Sequence, residues 1–169
     1  MAKLSISSLL KLTSSSRNSV RDLWDRLEGV PGGKLIFSRL ASEAAPYTAT
    51  IRARVEDLRR GHAEVSMRDR YRVRNHLRSV HAVALVNLAE LTGNLALAYS
   101  LPDDARFIVA GLSIDYIKKA RGTIRGVCDC PVPESSERKE YEVLVSLQNE
   151  AGEEVARATL RSLVGPKKD

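Results

Sequence analysis

Cysteine and histidine are scarce in this chain. The two cysteines, Cys128 and Cys130, lie two residues apart in a predicted strand. Side chains at that spacing point to the same face of a strand, and the pair lacks the spacing of a zinc site or of a redox Cys-x-x-Cys motif. The three histidines form no His-Glu-x-x-His motif. We therefore expect reduced cysteines, no disulfide framework and no metal site.

Long apolar runs and aromatic residues are also lacking. The longest apolar run, residues 82–86, is far too short to cross a bilayer core of about 30 Å. Aromatic residues make up 5% of the chain, and Tyr71 alone accompanies the arginines of residues 68–74. The stacking platforms of single-stranded nucleic-acid binders are therefore missing. The sequence predicts neither a membrane span nor a nucleic-acid partner.

The start of the chain lacks acidic side chains. Residues 1–21 contain none and are rich in serine. This composition is typical of an organellar transit peptide, although the long apolar centre of a secretory signal is missing. We expect a cytoplasmic protein, with a targeting role for this segment as the alternative.

The net charge of the chain is positive. A value of +6 favours anionic partners such as a phosphorylated cofactor. One basic cluster covers residues 68–78, and a second contains Lys118, Lys119, Arg121 and Arg125. These clusters are either solvated strand edges that charge protects against aggregation, or an electrostatic landing site for phosphates near a pocket mouth.

The 169 residues suit a single domain with its own core, preceded by helices. Helical spacing of apolar residues predicts an amphipathic helix over residues 17–28 and a short second helix over 34–40. Trp24 lies on the apolar stripe of the first helix, where packing against the domain is a better explanation than a membrane interface. We assign residues 1–44 to an N-terminal helical segment that packs on a domain formed by residues 45–169.

Strand patterns flank one long helix. Alternating apolar and polar residues predict a β-hairpin over 48–59 and 62–70, with Arg60-Gly61 as its turn. Further strands are predicted over 106–118, 122–130, 139–149 and 154–164, followed by a frayed tail over 165–169. An antiparallel sheet that curls round the helix buries it most economically, so we predict an α+β fold.

The central helix carries the most informative residues. Ser79 is the expected N-cap of a helix over residues 80–99 that is apolar on nearly every face and is therefore expected to be buried. Asn87, Glu90 and Asn94 fall within one narrow stripe of that helix. Because burying an unpaired carboxylate is costly, a buried Glu90 would indicate a functional role or a partner for its charge. A buried helix with one polar stripe is typical of an active site.

This order of elements resembles the hot-dog fold. Asn75, a histidine six residues later at His81, and an acid nine residues after that within Leu88-Ala89-Glu90 are similar to the pattern of thioesterases of the phenylacetyl-CoA type. Ser79 and residues 114–122 also fit. In detail the chain is similar to a bacterial hot-dog group of undefined function, marked by residues 35–40, 74–76 and 87–91.

The resemblance implies an acyl-CoA thioesterase that needs no cofactor beyond its CoA thioester substrate. Glu90 would act as general base or nucleophile, and Asn75 and His81 would orient water or the thioester. A homodimer or dimer of dimers is implied, in which Glu90 and the Asn75 loop of opposite subunits share a pocket. The remaining implied contacts are with substrate at Ser79, Ala82, Val83 and Asn87, and with CoA phosphates at Lys118, Lys119 and Arg121.

One departure from the family pattern supports an alternative. The two glycines that follow the histidine in these enzymes are Ala82 and Val83 here. Their side chains would narrow the approach to the backbone at the helix start, which favours a non-catalytic acyl-CoA-binding or regulatory dimer. Other interpretations of the single residues also stay open: Glu90 paired with an arginine or with Asn94, His81 bonded to backbone at the helix start, and Asn75 as a turn residue.

Overall fold

The computed structural model describes residues 17–167. Most of the serine-rich stretch considered as a transit peptide, residues 1–16, and the last two residues lie outside that range. The described helices are α1 (Ser19–Leu27), α2 (Gly33–Ala44) and α3 (Ala82–Ser100), with short 3₁₀ helices at Thr48–Ile51 and Tyr71–Val73. The strands are β1 (Arg54–Arg59), β2 (His62–Met67), β3 (Ala105–Tyr116), β4 (Ile124–Asp129), β5 (Lys139–Gln148) and β6 (Glu154–Pro166).

The six strands form one antiparallel sheet in the order β1-β2-β4-β5-β6-β3. α3 contacts every strand, so the sheet curves round this single helix. Leu88 and Leu97 of the helix and Leu160 of β6 are fully buried between the two layers. This arrangement is the hot-dog fold and confirms the fold predicted from the sequence.

Glycine allows α3 to lie close to the sheet. A Cβ atom on Gly126 of β4 would overlap with Oγ1 of Thr92 and lie 3.2 Å from its Cβ. Thr92 is fixed on α3, where its hydroxyl donates to the Leu88 carbonyl at 2.7 Å. The close packing of helix and sheet therefore depends on the missing side chain at Gly126.

The helices α1 and α2 pack on the same domain. Trp24 is fully buried and meets Phe37 edge to face at 5.0 Å, which confirms the predicted core packing of Trp24. Asn18 caps α1 by accepting from the Arg21 N–H at 3.1 Å. Its amide also donates to the carbonyls of Ala98 and Leu101, and this joins the start of α1 to the end of α3.

Two segments predicted as strand are not strands. Residues 48–51 form a 3₁₀ helix, and β1 begins only at Arg54. β2 ends at Met67 because its neighbours end there too: Ser66 pairs with Arg54, the first residue of β1, and Met67 pairs with Ile124, the first of β4. Apart from an isolated bridge between Arg74 and Val80, residues 68–74 pair with no strand, and this basic cluster is not an edge strand.

The chain end was predicted to fray after residue 164, and this prediction is wrong for the described part. β6 continues to Pro166, which pairs with Ala105 of β3. The backbone N–H of Lys167 donates to the Asp104 carbonyl at 2.7 Å. Pairing with β3 thus holds the chain in place beyond the predicted end of the strand.

The helix α3 has 19 residues and is apolar enough to cross a membrane by length and composition alone. In this fold 56% of that window is buried within the protein. The helix lies under the sheet, as a core helix does.

Candidate active site

Glu90 is exposed, which corrects the prediction of a buried carboxylate. The sheet covers the side of α3 that carries Leu88 and Thr92, and the polar stripe lies away from the sheet. An all-round apolar helix predicted burial on every face, but α1 and α2 cover the other side only in part. Glu90 stands where that cover opens, and it is the only charged residue of α3.

Glu90 lines an apolar cavity of about 270 Å³ between the three helices and β3. Asn94, one turn along the same stripe, contributes a buried Oδ1 for which the described residues supply no hydrogen-bond donor. The apolar walls come mainly from Val20, Leu23, Phe37, Leu40, Ala41, Leu91, Leu95, Ala98 and Phe107. The cavity can therefore accept an apolar group whose polar end lies beside Glu90.

A second, smaller cavity of about 170 Å³ lies at the start of α3. His81, Val83 and Asn87 line it together with Thr50 and Arg72. Asn87 is buried, and its amide donates to the Tyr47 carbonyl at 3.2 Å and to the Thr50 hydroxyl at 3.4 Å. Asn87 thus fastens the segment before β1 to the central helix.

His81, and not Ser79, is the N-cap of α3. Its Nδ1 accepts from the Val83 N–H at 3.1 Å. The N–H of Ala82 has no acceptor among the described residues. The start of the helix therefore presents a free backbone donor at the positive end of the helix dipole, a place suited to an oxyanion.

Asn75 and Ser79 form the turn behind the helix start. Asn75 Oδ1 accepts from the N–H of Leu77 at 2.9 Å and from both the N–H and the hydroxyl of Ser79 at 3.2 Å. This local network agrees with the interpretation of Asn75 as a turn residue. Ser79 does not cap the helix because α3 begins only at Ala82, which places His81 at the cap position and Ser79 two residues before it.

The three predicted catalytic residues are not brought together within one chain. His81 and Glu90 are nine residues apart, or about 13 Å of helix rise. They line different cavities, and Asn75 lines neither. Of the predicted substrate contacts, Val83 and Asn87 line the cavity at the start of α3 together with His81, whereas Ala82 and Ser79 do not line it.

The predicted phosphate-binding residues flank the same helix start. Residues 117–121 lie beside it, with the Val80 N–H donating to the Ala120 carbonyl at 2.8 Å. Lys118 is paired with Glu153 at 2.8 Å, whereas Lys119 and Arg121 are exposed. The positive charge of Lys118 is therefore partly neutralised already.

Asp69 fixes the basic segment before the helix. Its carboxylate accepts from Arg74 Nε at 2.6 Å and from the Gly122 N–H at 3.2 Å. The hydrogen bond from Arg74, with that from Gly122 and the charge of Arg74, lowers the pKa of Asp69 and outweighs the effect of burial. The segment is thereby tied to the loop before β4.

Two groups of site residues were not found from the sequence. The apolar walls of the Glu90 cavity come from the predicted helices at residues 17–28 and 34–40, whose apolar stripes were the available signal. The alternating pattern of residues 48–59 predicts a strand that includes Arg52. Nothing in that pattern indicates that Arg52 lines one cavity with Arg70 and Arg72.

The chain matches the family model described as Domain of unknown function (DUF4442) over residues 33–164. A structural-genomics target is 30% identical, with a TM-score of 0.75, over 88% of this chain and 99% of that one. A Pseudomonas aeruginosa protein of unknown function, described as a probable thioesterase, is 23% identical, with a TM-score of 0.70, over 82% and 97%. A thioesterase family protein from Silicibacter pomeroyi is 15% identical, with a TM-score of 0.66, over 77% and 96%. No curated protein matches the sequence.

Proposed function

The chain belongs to the DUF4442 family and has the hot-dog fold, and from that premise we propose that it hydrolyses acyl-CoA thioesters. One observation carries the proposal: Glu90, the only charged residue of α3, opens on an apolar cavity. A carboxylate beside a cavity for an apolar group is what hydrolysis of an apolar acyl thioester needs. The description of similar structures as thioesterases supports the same reaction.

The reaction requires a base, an oxyanion donor and water. Glu90 takes a proton from water as the water oxygen bonds to the thioester carbonyl carbon. The free N–H of Ala82 at a helix start donates to the oxyanion of the tetrahedral intermediate. The intermediate then collapses with cleavage of the carbon–sulfur bond, and the leaving thiolate takes up the proton. The proposal includes no cofactor and no metal.

The two halves of this machinery come from two subunits in the proposal. Within a chain the helix start and Glu90 open on different cavities, so a dimer would place the helix start of one subunit against Glu90 of the other. The edge strand β3 supports a partner there, because Ile108 is 67% exposed and Phe107, Val109 and Leu112 are only half-buried. A long edge strand with exposed apolar side chains favours pairing with another chain. We propose a homodimer, or a dimer of dimers, in the cytoplasm.

A thiol-release assay tests the proposal. Purified protein is offered short, long and aromatic acyl-CoA thioesters, with Glu90→Ala as the control. We expect release of CoA from at least one class and loss of that release in the variant. No release from any class would contradict the proposed function.

One observation supports a non-catalytic acyl-CoA binder as a second candidate. Val83, where similar enzymes have glycine, is 48% exposed at the helix start and narrows the approach to the backbone donor. His81 Nδ1 is also occupied by the Val83 N–H. A binder would raise the melting temperature with acyl-CoA in a thermal-shift assay and release no thiol.

A further inference from the structure

A third cavity, of about 530 Å³, adjoins the helix-start cavity and is strongly basic. Arg52, Arg70 and Arg72, here called the arginine triad, line it with Pro46, Ala49 and Thr50. Thr50 and Arg72 also line the cavity of His81, so the two cavities are direct neighbours. No acidic side chain of the described residues lines this third cavity.

The charges of the arginine triad are not neutralised within residues 17–167. Arg70 donates to the Thr50 carbonyl at 2.8 Å, and no member of the triad forms a salt bridge there. Burial lowers the pKa of Arg70, and the charges of Arg52 and Arg72 lower it further. Other arginines on the neighbouring surface differ, since Arg54 lies 3.4 Å from Glu56 and Arg125 lies 3.6 Å from Glu64.

The backbone at Arg52 is also unusual. It adopts φ 48° and ψ 47°, the left-handed region that non-glycine residues seldom occupy. This conformation ends the 3₁₀ helix at Thr48–Ile51 and leaves Arg52 at the rim of the cavity. The chain thus keeps three mutually repelling guanidinium groups at one concave place, an arrangement that a bound anion would stabilise.

We infer that the arginine triad binds the phosphates of CoA. The inference rests on the proposed function in one respect, that the thioester reacts at the start of α3. Arg72 of the triad lines the cavity of His81 as well as the basic cavity, so a thioester at the helix start would have its phosphate-bearing portion within reach of the triad. Guanidinium groups suit phosphate because they donate two parallel hydrogen bonds to it. In this inference the arginine triad binds the CoA phosphates in place of Lys118, Lys119 and Arg121, the residues that the family resemblance implied.

Binding of free CoA tests this site without any need for catalysis. Calorimetric titration is made with CoA, dephospho-CoA and pantetheine on the wild type and on Arg52→Ala, Arg72→Ala, Lys119→Ala and Arg60→Ala. We expect each triad variant to bind CoA about 10-fold more weakly, since it loses a charge-assisted contact. Arg60, exposed on the β1–β2 turn and without a salt bridge there, is the matched control and should leave CoA affinity unchanged. Wild-type protein should prefer CoA to pantetheine, and more strongly at low salt.

Folding of the variants is checked by thermal melting. Removing one of three repelling charges should leave the melting temperature of the free protein unchanged or raise it, so weaker binding would not reflect unfolding.

The inference is overturned if the triad variants bind CoA like the wild type, if only Lys119→Ala weakens binding, or if wild-type protein does not bind CoA. Equal hydrolysis of acyl-pantetheine and acyl-CoA would overturn the inference and leave the thioesterase proposal standing. Triad-dependent CoA binding without thiol release would support the site and contradict the thioesterase proposal.

Discussion

Glu90 and His81 lie on the same helix but open on different cavities. His81 caps the start of α3 beside a free backbone N–H, and Glu90 stands beyond the second turn at the mouth of an apolar cavity. A helix is rigid over this distance, so neither side chain can approach the other within one chain. Any chemistry that needs both must take one of them from a second subunit.

Substitution of Glu90 by Gln is expected to lower thioester turnover by about 10²-fold or more, since the amide cannot take a proton from water. Because Glu90 is exposed, the fold should be unaffected. Steady-state thiol release measures turnover, and far-ultraviolet circular dichroism checks the fold. Glu134→Gln, at an exposed carboxylate in the loop before β5, is the control. A Glu90→Gln protein with wild-type turnover would remove Glu90 from the mechanism.

Substitution of Ala82 by Pro isolates the backbone donor at the helix start. Proline is well tolerated at the first helical position, and His81 has an extended conformation, φ −67° and ψ 140°, that suits a following proline. The variant therefore loses little besides the N–H, and we expect the kcat for thioester hydrolysis to fall by about 10²–10³-fold. Ala82→Gly keeps the N–H and should keep activity. Equal loss in both variants would point to the methyl group and not to the donor.

Mixed dimers test whether the site is shared between subunits. Chains carrying Glu90→Gln are co-expressed with chains carrying Ala82→Pro, each inactive alone. If each site takes Glu90 from one subunit and Ala82 from the other, every mixed dimer has one intact site and one site that carries both substitutions. Random assembly makes about half of the dimers mixed, so about a quarter of the wild-type activity should return. Differently tagged chains allow the mixed dimer to be purified and assayed by thiol release. Mixed dimers without activity would place both residues of a site in the same subunit.

Substitution of Gly126 by Ala tests the close packing of the helix on the sheet. The added methyl group would overlap with the Thr92 hydroxyl, which is fixed by its bond to Leu88. We expect the free energy of unfolding to fall by about 1–3 kcal/mol, as for other overpacked cores. Urea denaturation measures it. The double variant Gly126→Ala with Thr92→Ser, which removes the Thr92 methyl but not the hydroxyl, should stay destabilised, whereas pairing with Thr92→Ala should recover part of the loss.

Substitution of Asp69 by Asn should lower the free energy of unfolding by about 2 kcal/mol at pH 7, because Arg74 and Gly122 donate to its carboxylate. The pKa of Asp69 is lower in the folded protein than its ordinary value of 3.8. Its stabilising contribution is therefore complete above that value and is lost as the pH falls through the folded pKa. Urea titrations between neutral and acidic pH should show the difference between wild type and variant shrinking only at the acid end. A difference that is constant with pH would contradict this assignment.

The sequence determined the features that depend on local pattern. Strand alternation, turn residues and helical spacing predicted the order of helices and strands and an α+β fold, and the resemblance of that order to a known family implied the hot-dog fold. The apolar spacing around Trp24 likewise predicted a packed helix, because a stripe of that kind has to be buried against something. The polar positions Asn87, Glu90 and Asn94 share one stripe for the same geometric reason.

The tertiary structure decided which faces of each helix are covered and which residues distant in sequence meet. Glu90 is exposed because the sheet takes only one side of α3, and the composition of a helix does not say how many of its faces are covered. His81 and not Ser79 caps α3 because the turn formed by Asn75 and Ser79 delays the start of the helix to Ala82. The arginine triad joins residue 52 to residues 70 and 72 through the path of the chain between them. Contacts between residues distant in sequence depend on the packing of whole elements, and a period of two or of 3.6 residues holds no information about them.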